Sequence, residues 1–290
     1  MNYILKNEQL TATLSSLGAE LISVQCKGNC EYIWQGDEKY WSGQAPVLFP
    51  ICGRFFGTKY TYRGKEYSMG THGFARNSEF EAVSVSTTEV TFLLIANDQT
   101  RAEYPFEFEF YVTYSLNGAR LDIKHEIKNK DEKTLIATVG AHPGFNVPLD
   151  NGSFDDWYLE FSEECYPDEL VFSKTCFNTG LKRPLNLESS RILRLSHDLF
   201  DIDGIFMSNT SRSVTLKSDK SERFVRVEYP DMPYLGLWHA PRSDAPYVCI
   251  EPWCGLPSYD GETEALENKN DTFRLAKGSS KKINYAIIFG

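Results

Sequence analysis

Nowhere does this chain carry an apolar run longer than a strand, so no segment offers the roughly 20 residues that a membrane-spanning helix needs. Helical periodicity sustained over more than two turns is also missing; the best short helix falls around Ser196 to Phe200. Linkers rich in Pro, Ser or Gly, internal repeats and low-complexity tracts are absent, so residues 1–290 read as a single domain. Positive charge is in short supply: 30 Lys and Arg stand against 40 Asp and Glu, a net charge of −10 spread along the chain. That balance argues against a nucleic-acid partner, which needs a basic stripe, and against an anionic membrane surface.

The start, Met1-Asn2-Tyr3-Ile4-Leu5-Lys6, has neither the basic opening nor the apolar stretch of a secretory leader, and a cytoplasmic location is the expectation. Seven cysteines form no C-x-x-C pair. Cys26 and Cys30, and Cys249 and Cys254, are spaced too loosely and lack a following histidine or second pair, so a zinc site is not expected and reduced thiols are.

What the chain does have is apolar and aromatic mass: 41% hydrophobic residues, with 19 Phe, 16 Tyr and 5 Trp. In an antiparallel β protein such rings pack across strands, and on a concave face they can stack on sugars or other flat apolar ligand surfaces. Period-two alternation dominates. Leu10 to Leu14, Glu20 to Cys26, Thr91 to Ala96, Leu135 to Val139, Trp157 to Phe161, Val214 to Lys217, Phe224 to Tyr229, Leu235 to Trp238, Tyr247 to Ile250 and Ile283 to Phe289 all read as strands. Arg63-Gly64-Lys65 turns one hairpin, and Asn117-Gly118 joins Phe106–Leu116 to Leu121–Ile127 in another. In that second arm Leu121, Ile123, His125 and Ile127 share a face, which makes His125 a core or cleft-wall residue. The fold class is therefore all-β: one large antiparallel β-sandwich, long for a single domain but within the range of sandwiches, with sheets that curve into a cleft.

Two of the five histidines share a local setting: Thr71-His72-Gly73-Phe74-Ala75-Arg76 and Ala141-His142-Pro143-Gly144-Phe145-Asn146. Each glycine permits unusual dihedrals or a close ligand approach, and each phenylalanine is expected to wall the imidazole. A third run, Cys249-Ile250-Glu251-Pro252-Trp253, sets a carboxylate at the end of an apolar strand. One such residue alone is more often a satisfied loop group. Together, two imidazoles and one carboxylate suffice for proton transfer at neutral pH.

These motifs resemble the aldose 1-epimerase, or galactose mutarotase, family, most closely its short LacX-like branch. The resemblance spans nearly the whole chain: Arg54-Phe55-Phe56-Gly57-Thr58-Lys59 with Gly64-Lys65-Glu66-Tyr67, then His72, then His142 with Phe145-Asn146, then Glu251. It implies the galactose mutarotase-like supersandwich with a concave sugar-binding cleft, no cofactor or metal, and a small-molecule sugar as partner. It also implies Glu251 as base on the anomeric hydroxyl, His142 as acid at the ring oxygen, and His72 steadying that oxygen. Arg54 and an aspartate in Leu199-Phe200-Asp201-Ile202-Asp203-Gly204 would hold hydroxyls. Asp203 is preferred to Asp201, and Trp238 and Trp253 are candidate stacking faces.

The chain departs from the galactose enzymes in being shorter and in lacking a second glycine after His72-Gly73. His72-Gly73-Phe74-Ala75-Arg76 instead resembles a run in the hexose-6-phosphate mutarotases, where the arginine helps hold phosphate. That branch's other arginine has no counterpart in Ser42-Gly43-Gln44-Ala45-Pro46, so neutral aldohexoses are expected and Arg76 is the residue that tests it. Three rivals remain. A non-catalytic sugar-binding module would not need both histidines and the glutamate. A glycoside hydrolase would pair Glu251 with Asp203. A metal site of His72, His142 and Glu251 lacks H-x-H or H-x-x-x-H spacing and ranks lowest.

Overall fold

Two large antiparallel sheets carry the computed structural model, which describes residues 1–26 and 30–290. The first runs, in spatial order, Ile192–Arg194, Trp157–Phe161, Ser213–Ser218, Val225–Glu228, Ser280–Phe289, Arg120–Asn129, Phe108–Asn117, Glu89–Ile95 and Glu81–Val85. The second runs Asn178–Pro184, Asp168–Phe172, Ile205–Ser208, Tyr234–Trp238, Tyr247–Trp253, Gly140–Ala141 and Val47–Leu48, with Gly144–Asn146 paired to Tyr247–Trp253 beside this path. These are the large antiparallel sheets that the alternation leads one to expect.

The two-residue turn between Phe108–Asn117 and Arg120–Asn129 is Gly118-Ala119 rather than Asn117-Gly118, because Asn117 already pairs with Arg120. Gly118 supplies the positive φ of +57° that the turn needs. The element around Ser196 to Phe200 is a 3-10 turn, His197–Phe200. The one α-helix among the described residues is Asp98–Glu103, capped by Asn97 and Thr100 through a reciprocal side-chain pair.

A continuous apolar core lies against both sheets, from Leu5 through Phe289. Phe49 is central to it, stacked on Phe110 with centroids 4.5 Å apart and edge-on to Phe108 and Phe74. Offset and edge-to-face pairs of this kind add about 0.5–1.5 kcal/mol each beyond burial. His125 is fully buried in this core between Phe110 and Tyr285, which makes it a core residue and not part of a cleft wall.

Candidate active site

Alternate side chains of a strand point to opposite faces, and strand Tyr247–Trp253 uses both. Val248 and Ile250 enter the main core, while Tyr247, Cys249 and Trp253 pack on the other side of the sheet. Glu251 is in phase with the latter and faces a cleft of about 240 Å³, a volume on the scale of a small molecule. Pairing with Tyr234–Trp238 continues to Tyr234 opposite Trp253, so Glu251 lies inside a strand and not at its end as expected. A strand interior holds a carboxylate more rigidly than a loop does. Opposite it stands Gly236, where a Cβ would come within 2.6 Å of the Phe206 ring and 3.3 Å of the Glu251 Cβ. The missing side chain is what lets Glu251 and Phe206 share this space.

His142 enters from the break between Gly140–Ala141 and Gly144–Asn146. Pro143, which has no N–H to donate, still accepts from Ile250 N–H through its carbonyl (3.0 Å). The imidazole lies between Trp41 and Trp238, with centroids 5.0 and 5.7 Å away. Its Nε2 is 3.3 Å from Glu251 Oε2. Neither Glu251 oxygen nor His142 Nδ1 has a hydrogen-bond partner, although Glu251 is 1% and His142 8% exposed. Buried polar atoms left open in this way are costly, at about 1–3 kcal/mol each, and are free to pair with a ligand in the cleft.

His72 sits in the left-handed region, φ +65°, a conformation that costs a non-glycine residue about 1 kcal/mol or more. It is held there by a reciprocal pair with Gly53: His72 N–H donates to the Gly53 carbonyl at 2.6 Å, and Gly53 N–H donates to His72 Nδ1 at 3.1 Å. With Nδ1 accepting, the ring proton of the neutral imidazole resides on Nε2. Gly73 follows with φ +73°, and a Cβ there would lie 2.2 Å from the Phe49 carbonyl oxygen, so only glycine fits.

The phenylalanines do not wall the imidazoles. Phe74 and Phe145 turn away into the core, Phe74 against Phe49 and Phe108. They anchor the loops, and the aromatic neighbours of the imidazoles are Trp253, Trp41 and Trp238 instead.

Arg54, Arg76, Asp203 and Trp238 all line the same cleft. Trp238 Nε1–H donates to Asp203 Oδ1 at 2.9 Å, which holds the carboxylate at the rim. Asp201 is not among the lining residues; it offers its backbone carbonyl to Arg242. Trp41, Cys176 and Phe206 also line the cleft and were not read from the sequence, since they arrive from distant segments with no local motif.

Burial dominates the electrostatics. It raises the Glu251 carboxyl well above the usual range, helped by the Asp203 charge and opposed by the nearby Trp253 indole. It lowers His142 to about 3, with Arg76 adding to the effect. His72 is likewise held well below the ordinary imidazole value by burial, His142, Arg76 and Arg54. Two imidazoles poised neutral beside a carboxyl of raised proton affinity can pass protons to and from a neutral ligand without carrying net charge into the cleft. As for metals, among the described residues His72 belongs to no ligand cluster; the group whose donor atoms lie within 4.8 Å of one another is His142, Cys249 and Glu251.

Residues 1–278 match the aldose 1-epimerase family. The chain is 38% identical over 299 aligned positions to the plasmid-encoded protein LacX of Lactococcus lactis subsp. lactis, covering 99% of both. Its fold is similar to a solved galactose mutarotase related enzyme from Lactobacillus acidophilus, with TM-score 0.95, 34% identity and coverage of 100% of this chain and 97% of that one. A galactose mutarotase-like protein from Lactobacillus casei is similar too, at TM-score 0.93 and 31% identity with both chains covered completely. With the motifs, the sandwich and these relatives in agreement, the chain belongs to the aldose 1-epimerase family.

Proposed function

We propose that the protein is a mutarotase that interconverts the α and β anomers of a free aldohexose. The observation that carries this reading is the convergence of Glu251, His142 and His72 on one cleft, with both Glu251 oxygens unpartnered. In the forward step Glu251 takes the proton of the C1 hydroxyl while His142 gives one to the ring oxygen. The bond from C1 to that oxygen breaks and leaves an open aldehyde. Rotation about the bond between C1 and C2 presents the other carbonyl face, and ring closure returns both protons with the roles reversed. No group, hydride or charge is transferred, so the reaction asks for no cofactor. Each positioned acid or base contributes roughly 10²–10⁴-fold.

In this reading His72 donates from Nε2 to the ring oxygen, and Arg54 and Asp203 fix hydroxyls through charge-assisted bonds. Trp238 offers an apolar face to the sugar while its N–H orients Asp203. We take residues 1–290 as one working unit in the cytoplasm. A core shared from Leu5 to Phe289 supports the unit, and the lack of any disulfide among the described residues is compatible with a reducing compartment.

A second reading, a hexose 6-phosphate as substrate, is favoured by one observation: Arg76 and Arg54 line the same cleft and both act on His72. Polarimetry on freshly dissolved free hexoses and their 6-phosphates decides. Higher kcat/KM on a free hexose supports the first reading. A much higher value on a 6-phosphate, lost in Arg76→Ala, replaces it with the second. No acceleration of either anomerisation removes the enzymatic reading and leaves a sugar-binding protein.

A further inference from the structure

One thiol beneath the cleft is not used by this chemistry. Cys249 lies two residues before Glu251 on the same face of strand Tyr247–Trp253 and is fully buried. Its neighbours across the sheet are Gly144 on one side and Trp238 on the other. One donor atom from each of His142, Cys249 and Glu251 falls within 4.8 Å of the other two. His142 Nδ1 and both Glu251 oxygens lack partners, which means that donors are already present and uncommitted around this point.

We propose that His142, Cys249 and Glu251 form a binding site for a soft divalent cation such as zinc, and that an ion held there blocks the sugar site. Three observations lead to this. First, imidazole, thiolate and carboxylate are a donor set that suits zinc, and in tetrahedral coordination they would stand about 3.5 Å apart given bonds of roughly 2.0–2.3 Å. The present spread of up to 4.8 Å has to shrink by about 1.3 Å for an ion to be held. Second, a dication with one thiolate and one carboxylate is neutral overall, which removes the cost of leaving charge in a buried place. Third, three protein donors leave one coordination position open toward the cleft, where water or a sugar hydroxyl completes the shell.

On binding, the Cys249 S–H proton and the one proton held by the Glu251–His142 pair both pass to solvent, the thiolate, carboxylate and imidazole bond to the ion, and no electron is transferred. The ion takes the lone pairs that Glu251 and His142 use on the sugar, so it competes with substrate. This consequence rests on the mutarotase reading, whereas the binding site itself does not. The cation is an inhibitor here and not a participant in the reaction.

Cobalt(II) added to the metal-free full-length protein tests the site spectroscopically, and zinc titrated calorimetrically tests its affinity. The expected result is one bound ion with a thiolate-to-cobalt charge-transfer absorption. That absorption disappears in Cys249→Ala, and zinc affinity falls by about 100-fold or more, as the loss of a direct ligand should cost no less than that of a supporting residue. Glu251→Gln keeps the absorption and weakens zinc. Cys249→Ser, of similar size, serves if the alanine variant does not fold, and circular dichroism reports which is the case. Unchanged stoichiometry, affinity and absorption in the Cys249 variants would place the ion on other thiols and overturn the proposal, as would the absence of cobalt binding. Zinc inhibition competitive with sugar in wild type, and lost in Cys249→Ser, completes the positive outcome. Binding as described in a protein without mutarotase activity would uphold the metal site and refute the catalytic reading alone.

Discussion

His142 Nε2, from the break between two short strands, and Glu251 Oε2, inside the strand beside them, stand 3.3 Å apart, the imidazole pushed to a lower proton affinity and the carboxyl to a higher one. Burial reverses the usual order of their affinities, so the pair's one transferable proton rests on Glu251 and passes to His142 as the forward step begins.

The pH profile follows from these signs. Activity needs that one proton: it is lost at alkaline pH as the raised Glu251 group ionises without a protonated partner, and at acid pH only when the pair takes up a second. With His142 near 3, kcat/KM should show no acid limb near 6.5, the ordinary imidazole value. A stopped-flow or polarimetric profile with an acid midpoint close to 6.5 would show that His142 keeps an ordinary imidazole proton affinity despite its burial.

Gly236 sets the space for Glu251. In Gly236→Ala the new methyl would press on Phe206 and approach the Glu251 Cβ. Displacing a catalytic carboxylate by a fraction of an ångström should lower kcat/KM by about 10-fold or more. Its φ is not in the left-handed region, so the backbone itself tolerates alanine. Unchanged kinetics in a folded Gly236→Ala would mean that Glu251 has more room than its surroundings indicate.

His125 bears on stability alone. Both its ring nitrogens are buried without partners, and burial lowers it to about 3. The unfolded chain binds this proton below about 6.5 and the folded chain does not, so stability is lost as pH falls from there toward 3. Between pH 7 and 5 that loss is about 2 kcal/mol from this residue. Urea denaturation at both pH values should show His125→Leu losing less stability than wild type by roughly that amount, with anomerisation intact. Equal losses would mean that His125 finds a partner in the folded state.

The two arginines separate the substrate readings. Arg54→Ala should raise KM or lower kcat about 10-fold on a free hexose, by removing a charge-assisted bond to a hydroxyl. Arg76→Ala should leave that rate nearly unchanged. Kinetics of the two variants on one free hexose suffice, and an equal loss in both would make Arg76 a hydroxyl contact as well.

Much of the site was readable because its key residues lie in distinct local runs. His72 and His142 each precede a glycine that the backbone requires or that clears space, and Glu251 sits in an apolar strand where a carboxylate has no structural reason to be. Asp203 lines the cleft, held by the Trp238 bond, whereas Asp201 does not. Cys249, Trp41 and Phe206 were not recognised as neighbours of these groups. They meet through sheet pairing between segments far apart in the chain, such as Ile205–Ser208 with Tyr234–Trp238, and alternation alone carries no register between such strands. The helix Asp98–Glu103 was missed because six residues show less than two turns of periodicity. Phe74 and Phe145 were assigned to the wrong side because a loop of one or two residues reverses the face that a side chain takes.

The central claim is that Glu251 moves the anomeric proton, and Glu251→Gln on the preferred hexose tests it most directly. The amide fills the same volume but cannot accept a proton from the C1 hydroxyl, so polarimetry should show kcat reduced by about 10²-fold or more while calorimetry finds the sugar still bound. Wild-type kcat in the folded Glu251→Gln protein would contradict the account.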